Sequence, residues 1–177
     1  PKMSGVTSAS NVVGKYFDSK DFDPFWAKAQ ELDVLMIMHP EWIAGGDKMG
    51  GYGLRTVCGN PADTTLSVGY MIYSGVFDRF PKLRVAFMEA GCSWAPYWFG
   101  RMNEEWEKRG AVEAPNCKKK PSDYFKEGRI YFHAEDYEPL IGATASLLSH
   151  KVIYYASDYP HWDTEFPENI EHLSRRE

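Results

Sequence analysis

The chain has only three cysteines, Cys58, Cys92 and Cys117, far apart and with no C-x-x-C pair. That excludes a disulfide framework and a thiolate zinc site, and fits a reducing compartment. No apolar run approaches the roughly 20 residues of a membrane span, and no basic stretch followed by an apolar one opens the sequence, so neither anchor nor leader is indicated. Charge of one sign is also missing. The net charge of -5 comes from 25 acidic and 20 basic residues interspersed along the chain, which argues against a nucleic-acid footprint. The short basic run 118–120 beside Pro121 reads as a solvated loop. No glycine-rich phosphate loop follows any apolar run, so nucleotide-binding versions of an open sheet lose support. The expectation is a soluble, cytoplasmic protein.

What is present is core material: 44% hydrophobic and 15% aromatic residues over 177 positions suit one globular domain or part of one. The most informative stretch is KVIYYASDYPHWD, residues 151–163. Residues 152–156 form a continuous apolar run, which predicts a parallel strand covered on both faces. Ser157, Asp158, Tyr159, Pro160 and His161 then arrive together. A carboxylate at the C-terminal end of a buried parallel strand lies where β/α folds collect catalytic groups, although a turn cap before Pro160 is the simpler use of Asp158.

Earlier segments alternate in the same way. A strand around 3–7 precedes a helix opened by Asp23-Pro24, with Phe25, Ala29 and Leu32 on its apolar side. Residues 34–38 form a strand ending at His39-Pro40, and 41–59 a glycine-rich loop carrying Lys48 and Arg55, suited to a substrate loop. Asn60-Pro61 opens a helix with Leu66, Tyr70, Tyr73 and Phe77 on one face. A strand at 83–88 ends in Glu89-Ala90-Gly91, and Ser93 caps a helix whose Trp94, Trp98, Met102 and Trp106 make a core stripe. Residues 129–133 form a strand, and Asp136 and Pro139 open a helix with Ile141, Leu147 and Leu148 inward. Five strands alternating with helices, without hairpin signals, predict parallel crossovers, in a β/α barrel or a doubly wound sheet.

In such a sheet the C-terminal strand ends share one rim, which gathers His39, Glu89, His133 to Glu135, and Asp158 to His161. Imidazole and carboxylate together suit a divalent ion such as Zn²⁺ or Mn²⁺. His150 and His172 read as surface residues.

The stretches at 22–40, 75–106 and 152–163 resemble the amidohydrolase-related family that includes aminocarboxymuconate semialdehyde decarboxylase. The resemblance implies a metal-dependent (β/α)₈ TIM barrel, of which this chain supplies about strands four to eight as a single domain. It implies His39 and Asp158 as metal ligands, with one divalent ion, zinc first and manganese second. Glu89 falls where the family's decarboxylases carry a catalytic histidine, a departure that makes hydrolysis by activated water the first reading. Decarboxylation of an aromatic or enoic acid, or an inactive partial barrel, are the alternatives. Asp158, Glu89 and His161 are the candidate catalytic residues, His161 by orienting Asp158 or a substrate group. FDRFPKL, 77–83, precedes a strand and should serve stability. The family's His-x-His is nowhere in the sequence, so the chain is expected to be the C-terminal portion of a longer protein and to form a homo-oligomer. The expected partner is a small, carboxylated substrate.

Overall fold

The computed structural model describes residues 3–41, 51–162 and 164–175. Strand β1 (Gly5–Ala9) is followed by a hairpin, β2 (Asn11–Val12) and β3 (Lys15–Tyr16), then α1 (Asp23–Glu31) and β4 (Leu35–His39). Next come α2 (Asn60–Tyr73), α3 (Val76–Arg79), β5 (Arg84–Phe87), α4 (Ala95–Glu113), α5 (Pro121–Lys126) and β6 (Ile130–Ala134). The series ends with α6 (Ile141–Leu147), β7 (Ile153–Tyr155) and α7 (Asn169–Ser174). The main sheet has the order β1-β4-β5-β6-β7, parallel throughout. A doubly wound sheet reverses its order at a switch point; this one advances in sequence from edge to edge, as barrel strands do.

The middle strands are buried on both faces because helices cover one side and neighbouring side chains fill the other. Met36, Met38, Val85, Phe87, Ile130 and Phe132 pack with Val68, Met71, Ile72, Phe99 and Phe125 in one core. The expected tryptophan stripe is there: Met102 is buried, and Trp94, Trp98 and Trp106 pack against the core. Some expected faces are turned, however. On α2 the sheet-facing residues are Val68, Met71 and Ile72, while Leu66 and Tyr70 are exposed, because their stripe lies beside α4 rather than over the sheet. On α1 the buried residues are Trp26 and Ala29, with Phe25 and Leu32 outside, and Leu147 of α6 is likewise exposed. The largest correction concerns β7. It pairs only with β6 among the described residues, so Ile153, Tyr154 and Tyr155 are half-buried and Ala156 is exposed.

The 77–83 stretch sits before β5, on the rim away from the strand ends. The Arg79 guanidinium donates to Asp23 at 2.9 Å and to the Ser74 carbonyl at 2.8 Å, and the Tyr124 hydroxyl donates to Asp78 at 2.5 Å. These bonds tie α1, α3 and α5 together, a structural role.

The hairpin was not legible in the sequence, because its turn is Val13-Gly14 rather than Asn-Gly. Val13 has φ +52 and Gly14 φ +77, and the Asn11 side chain closes the turn by accepting from the Gly14 amide at 2.8 Å. A β-branched residue at positive φ is strained, and Val13 is fully exposed. Val13→Asn is therefore expected to stabilise the protein by about 0.5–1 kcal/mol, read as a higher urea midpoint at unchanged m-value. An unchanged or lower midpoint would refute the strain at this turn.

Candidate active site

Parallel strands place the ends of β4, β5, β6 and β7 on one rim, and the residues just beyond them meet there. His39, the last residue of β4, is half-buried; its Nδ1 lies 2.7 Å from the Pro40 carbonyl and its Nε2 2.7 Å from Glu89 Oε1. The carbonyl can only accept, so Nδ1 carries a proton and Nε2 is aimed at the carboxylate. Glu89's hydrogen bond and charge raise the His39 pKa above the ordinary imidazole value, against burial, which lowers it. The same contact holds Glu89 below the usual carboxylate range. In this structure the two side chains form an ion pair sharing one proton.

Glu89 follows β5 in a left-handed conformation, φ +55, and Gly91 continues the turn with φ +64. A Cβ on Gly91 would lie 2.8 Å from the Glu138 carboxylate, so only glycine fits. Glu138, itself buried, organises the turn. It accepts from the amides of Cys92 at 3.0 Å, Ser93 at 2.8 Å and Glu135 at 2.8 Å, and from the Ser93 hydroxyl at 2.5 Å. The acid at the start of α4 is thus Glu138, from the loop after β6, rather than Glu89. The Ser93 side chain serves Glu138 instead of capping the helix. Burial pushes the Cys92 thiol up to about 12, which removes it from nucleophilic chemistry.

His133, on β6, is buried behind Glu89. Its Nε2 lies 3.2 Å from the Ala156 carbonyl, while Nδ1 lies 3.1 Å from Glu135 Oε1 and 3.4 Å from the Glu89 amide. Nδ1 can donate to the carboxylate or accept from the amide, but not both, so the protonation of His133 decides which neighbour it holds. Burial lowers its pKa, and the hydrogen bond and charge of Glu135 raise it further, for a net rise. A raised folded value means that this stabilisation is complete below the unfolded value of about 6.5 and is lost as pH rises through the folded one. The stability difference between the wild type and Glu135→Gln is therefore expected to shrink as pH rises from about 6.5 through the raised folded value. Chemical denaturation across that range checks it; a difference that grows with pH would overturn the assignment.

Asp158 follows β7, also left-handed at φ +56. The His161 amide donates to the Asp158 carbonyl at 2.8 Å, and His161 Nδ1 lies 3.7 Å from Asp158 Oδ2. Glu89, Asp158 and His161 line one cleft of about 370 Å³, together with Arg55, Glu135, Asp136, Tyr155 and Trp162. Arg55 of the glycine-rich loop thus reaches the cleft, and Lys48 lies outside the described residues. The four residues read from the sequence therefore come together, His39 through its contact with Glu89. The residues missed are Glu138, which carried no signal beyond a helix start at Pro139, and Asp63. That carboxylate is fully buried at the start of α2. It accepts from the Ser10 hydroxyl, Asn11 Nδ2 at 2.9 Å, the Tyr16 hydroxyl at 2.7 Å and the Glu41 amide at 2.8 Å.

The donor set suits a divalent ion. A histidine whose Nδ1–H is fixed by a carbonyl offers Nε2 as a ligand, and the Glu89 carboxylate stands beside it on the wall of the cleft.

A sequential parallel sheet with histidine and carboxylates on its C-terminal rim defines part of a β/α barrel. The chain belongs to the amidohydrolase family, whose model matches residues 1–176, and it supplies part of that family's barrel. It is 30% identical over 158 residues to the 2-amino-3-carboxymuconate-6-semialdehyde decarboxylase of Dictyostelium discoideum, covering 89% of this chain and 44% of that one. The structure of the 5-carboxyvanillate decarboxylase LigW from Sphingomonas paucimobilis superposes with a TM-score of 0.85 at 22% identity, over 97% of this chain and 52% of that one. A dihydroxybenzoic acid decarboxylase from Polaromonas, with bound manganese and 2-nitroresorcinol, gives a TM-score of 0.75 at 21% identity, over 90% and 49%. The chain spans about half the length of the curated relatives it matches. Among the described residues, no helix is long and apolar enough to cross a membrane.

Proposed function

We propose that the whole protein is a metal-dependent, non-oxidative decarboxylase acting on a small aromatic or enoic carboxylic acid. The observation that carries this is the 30% identity to a curated decarboxylase across 89% of the chain. It favours the second of the two reactions expected from the sequence over hydrolysis. His39 Nε2 and the Asp158 carboxylate would hold the ion, together with ligands from outside the described residues. A bound divalent ion supplies Lewis-acid polarisation of a substrate oxygen. Zinc is the ion expected from the sequence, and manganese, the ion in the Polaromonas structure, is the second to load.

The chain's own residues supply the rest. Arg55, on the wall of the cleft, provides a cation for a substrate carboxylate. With Nε2 of His39 given to the ion, Glu89 on the cleft wall is the group placed to carry the proton that the carbon losing CO₂ must receive. His161 orients Asp158. Hydrolysis remains the second reading on one observation: Glu89, held ionised by its contact with His39, lines the cleft as a carboxylate that can take a proton from water. Product analysis of the metal-loaded protein separates the two. Release of CO₂ from hydroxybenzoates or enoic acids supports the proposal; an acid formed stoichiometrically from an ester, lactone or amide, without CO₂, overturns it. Assembly as a homo-oligomer is tested by sedimentation.

A further inference from the structure

At the far wall of the cleft, Asp136, Glu165 and His172 bring three ligand atoms within 4.8 Å of one another. They come from three places: the loop after β6, the loop before α7, and α7 itself. His172 Nδ1 pairs with Glu165 Oε2 and lies 3.9 Å from Asp136 Oδ2. Asp136 supplies the independent observation. The residue is only 9% exposed, and its Oδ2 is shielded from solvent yet accepts no hydrogen bond. A buried carboxylate oxygen without a donor is costly, and His172 Nδ1, at 3.9 Å, is beyond hydrogen-bond reach. Asn169, 2% exposed, lines the same cleft and has an Nδ2 without a partner, so it is placed to donate to a ligand or water held there.

The geometry points to a divalent-cation site formed by Asp136, Glu165 and His172, which clamps α7 to the end of β6. Two carboxylates and a neutral imidazole carry the charge that offsets a 2+ ion, and oxygen with imidazole nitrogen suits Zn²⁺ or Mn²⁺. Bonds of about 2.0–2.1 Å in a tetrahedral arrangement set the ligand atoms about 3.4 Å apart. Asp136 and His172 are within half an ångström of that spacing. The Glu165 side chain is 55% exposed and has room to swing away from the ring. The site uses none of His39, Glu89 or Asp158 and does not rest on the decarboxylase reading.

The test is titration of the EDTA-treated chain with Zn²⁺ and then Mn²⁺, followed by calorimetry and by melting temperature. The wild type, His39→Ala, Glu165→Gln and His172→Ala are compared. Ion binding to the folded state raises the melting temperature, and the expected result is an equal rise in the wild type and in His39→Ala. In Glu165→Gln, an exposed substitution that leaves the metal-free melting temperature unchanged, affinity should fall about tenfold or more. His172→Ala should lose one equivalent. No binding by the wild type, or binding lost in His39→Ala and kept in His172→Ala, overturns the site. CO₂ assays on His39→Ala report on the proposed reaction separately, so the two readings fail by different results.

Discussion

Asp158→Gly is expected to leave the protein folded, with stability within about 1 kcal/mol of the wild type, while turnover falls by about 10³-fold or more. The expectation rests on backbone geometry. Asp158 at φ +56 and Glu89 at φ +55 are non-glycine residues in the left-handed region, each just beyond a strand and each facing the cleft. A left-handed L-residue costs on the order of 1 kcal/mol, which glycine avoids. Glycine gives back a similar amount through the freedom it adds to the unfolded chain. Loss of the carboxylate removes a proposed ligand and proton carrier outright. Asp158→Ala separates the effects, because it loses the carboxylate and keeps the strain, and it should be the less stable of the two. Melting curves beside CO₂ release decide the matter. A collapse in stability with glycine would make Asp158 a structural turn residue, and retained turnover would remove it from the site. Paired strain at two strand ends is the form that function at a cost to stability takes.

Asp63→Ala is expected to produce the largest loss of stability, about 3–5 kcal/mol. One fully buried carboxylate receives the Ser10 hydroxyl, Asn11 amide, Tyr16 hydroxyl and Glu41 backbone amide. These donors come from the end of β1, both strands of the hairpin and the chain just after His39-Pro40. Alanine would leave them without their acceptor, Ser10 and Asn11 in a region closed to water. Asp63→Asn keeps the shape but turns one acceptor into a donor, so it should be intermediate. Urea denaturation measures both; a loss below about 1 kcal/mol for alanine would show that the donors find other partners. Because Glu41 follows Pro40, whose carbonyl lies against His39 Nδ1, partial loss at Asp63 should also weaken metal binding through His39 before the protein unfolds.

The candidate site was legible where chemistry follows an apolar run. His39, Glu89 and Asp158 each end a strand segment, and in a parallel sheet that position alone predicts a shared rim. The buried carboxylates behind them were not legible. Asp63 in the first turn of α2 and Glu138 before Pro139 look like ordinary helix-start acids, and nothing local distinguishes an acid facing water from one that collects amides across the fold. His172 illustrates the same limit: it read as a surface histidine, and three separate segments had to converge before Asp136 and Glu165 stood beside it.

Periodicity and strand–helix alternation by themselves determined the parallel α/β class, the tryptophan stripe of α4 and the rim shared by the strand ends, because these follow from the repeat of a single element. Tertiary structure alone decided the rest. It left β7, which pairs only with β6 among the described residues, half-exposed, turned α2 so that Val68, Met71 and Ile72 meet the sheet, and folded Val13-Gly14 into a hairpin turn. It also chose which carboxylates are enclosed, since enclosure depends on neighbours distant in sequence, and local residue patterns carry no information about them.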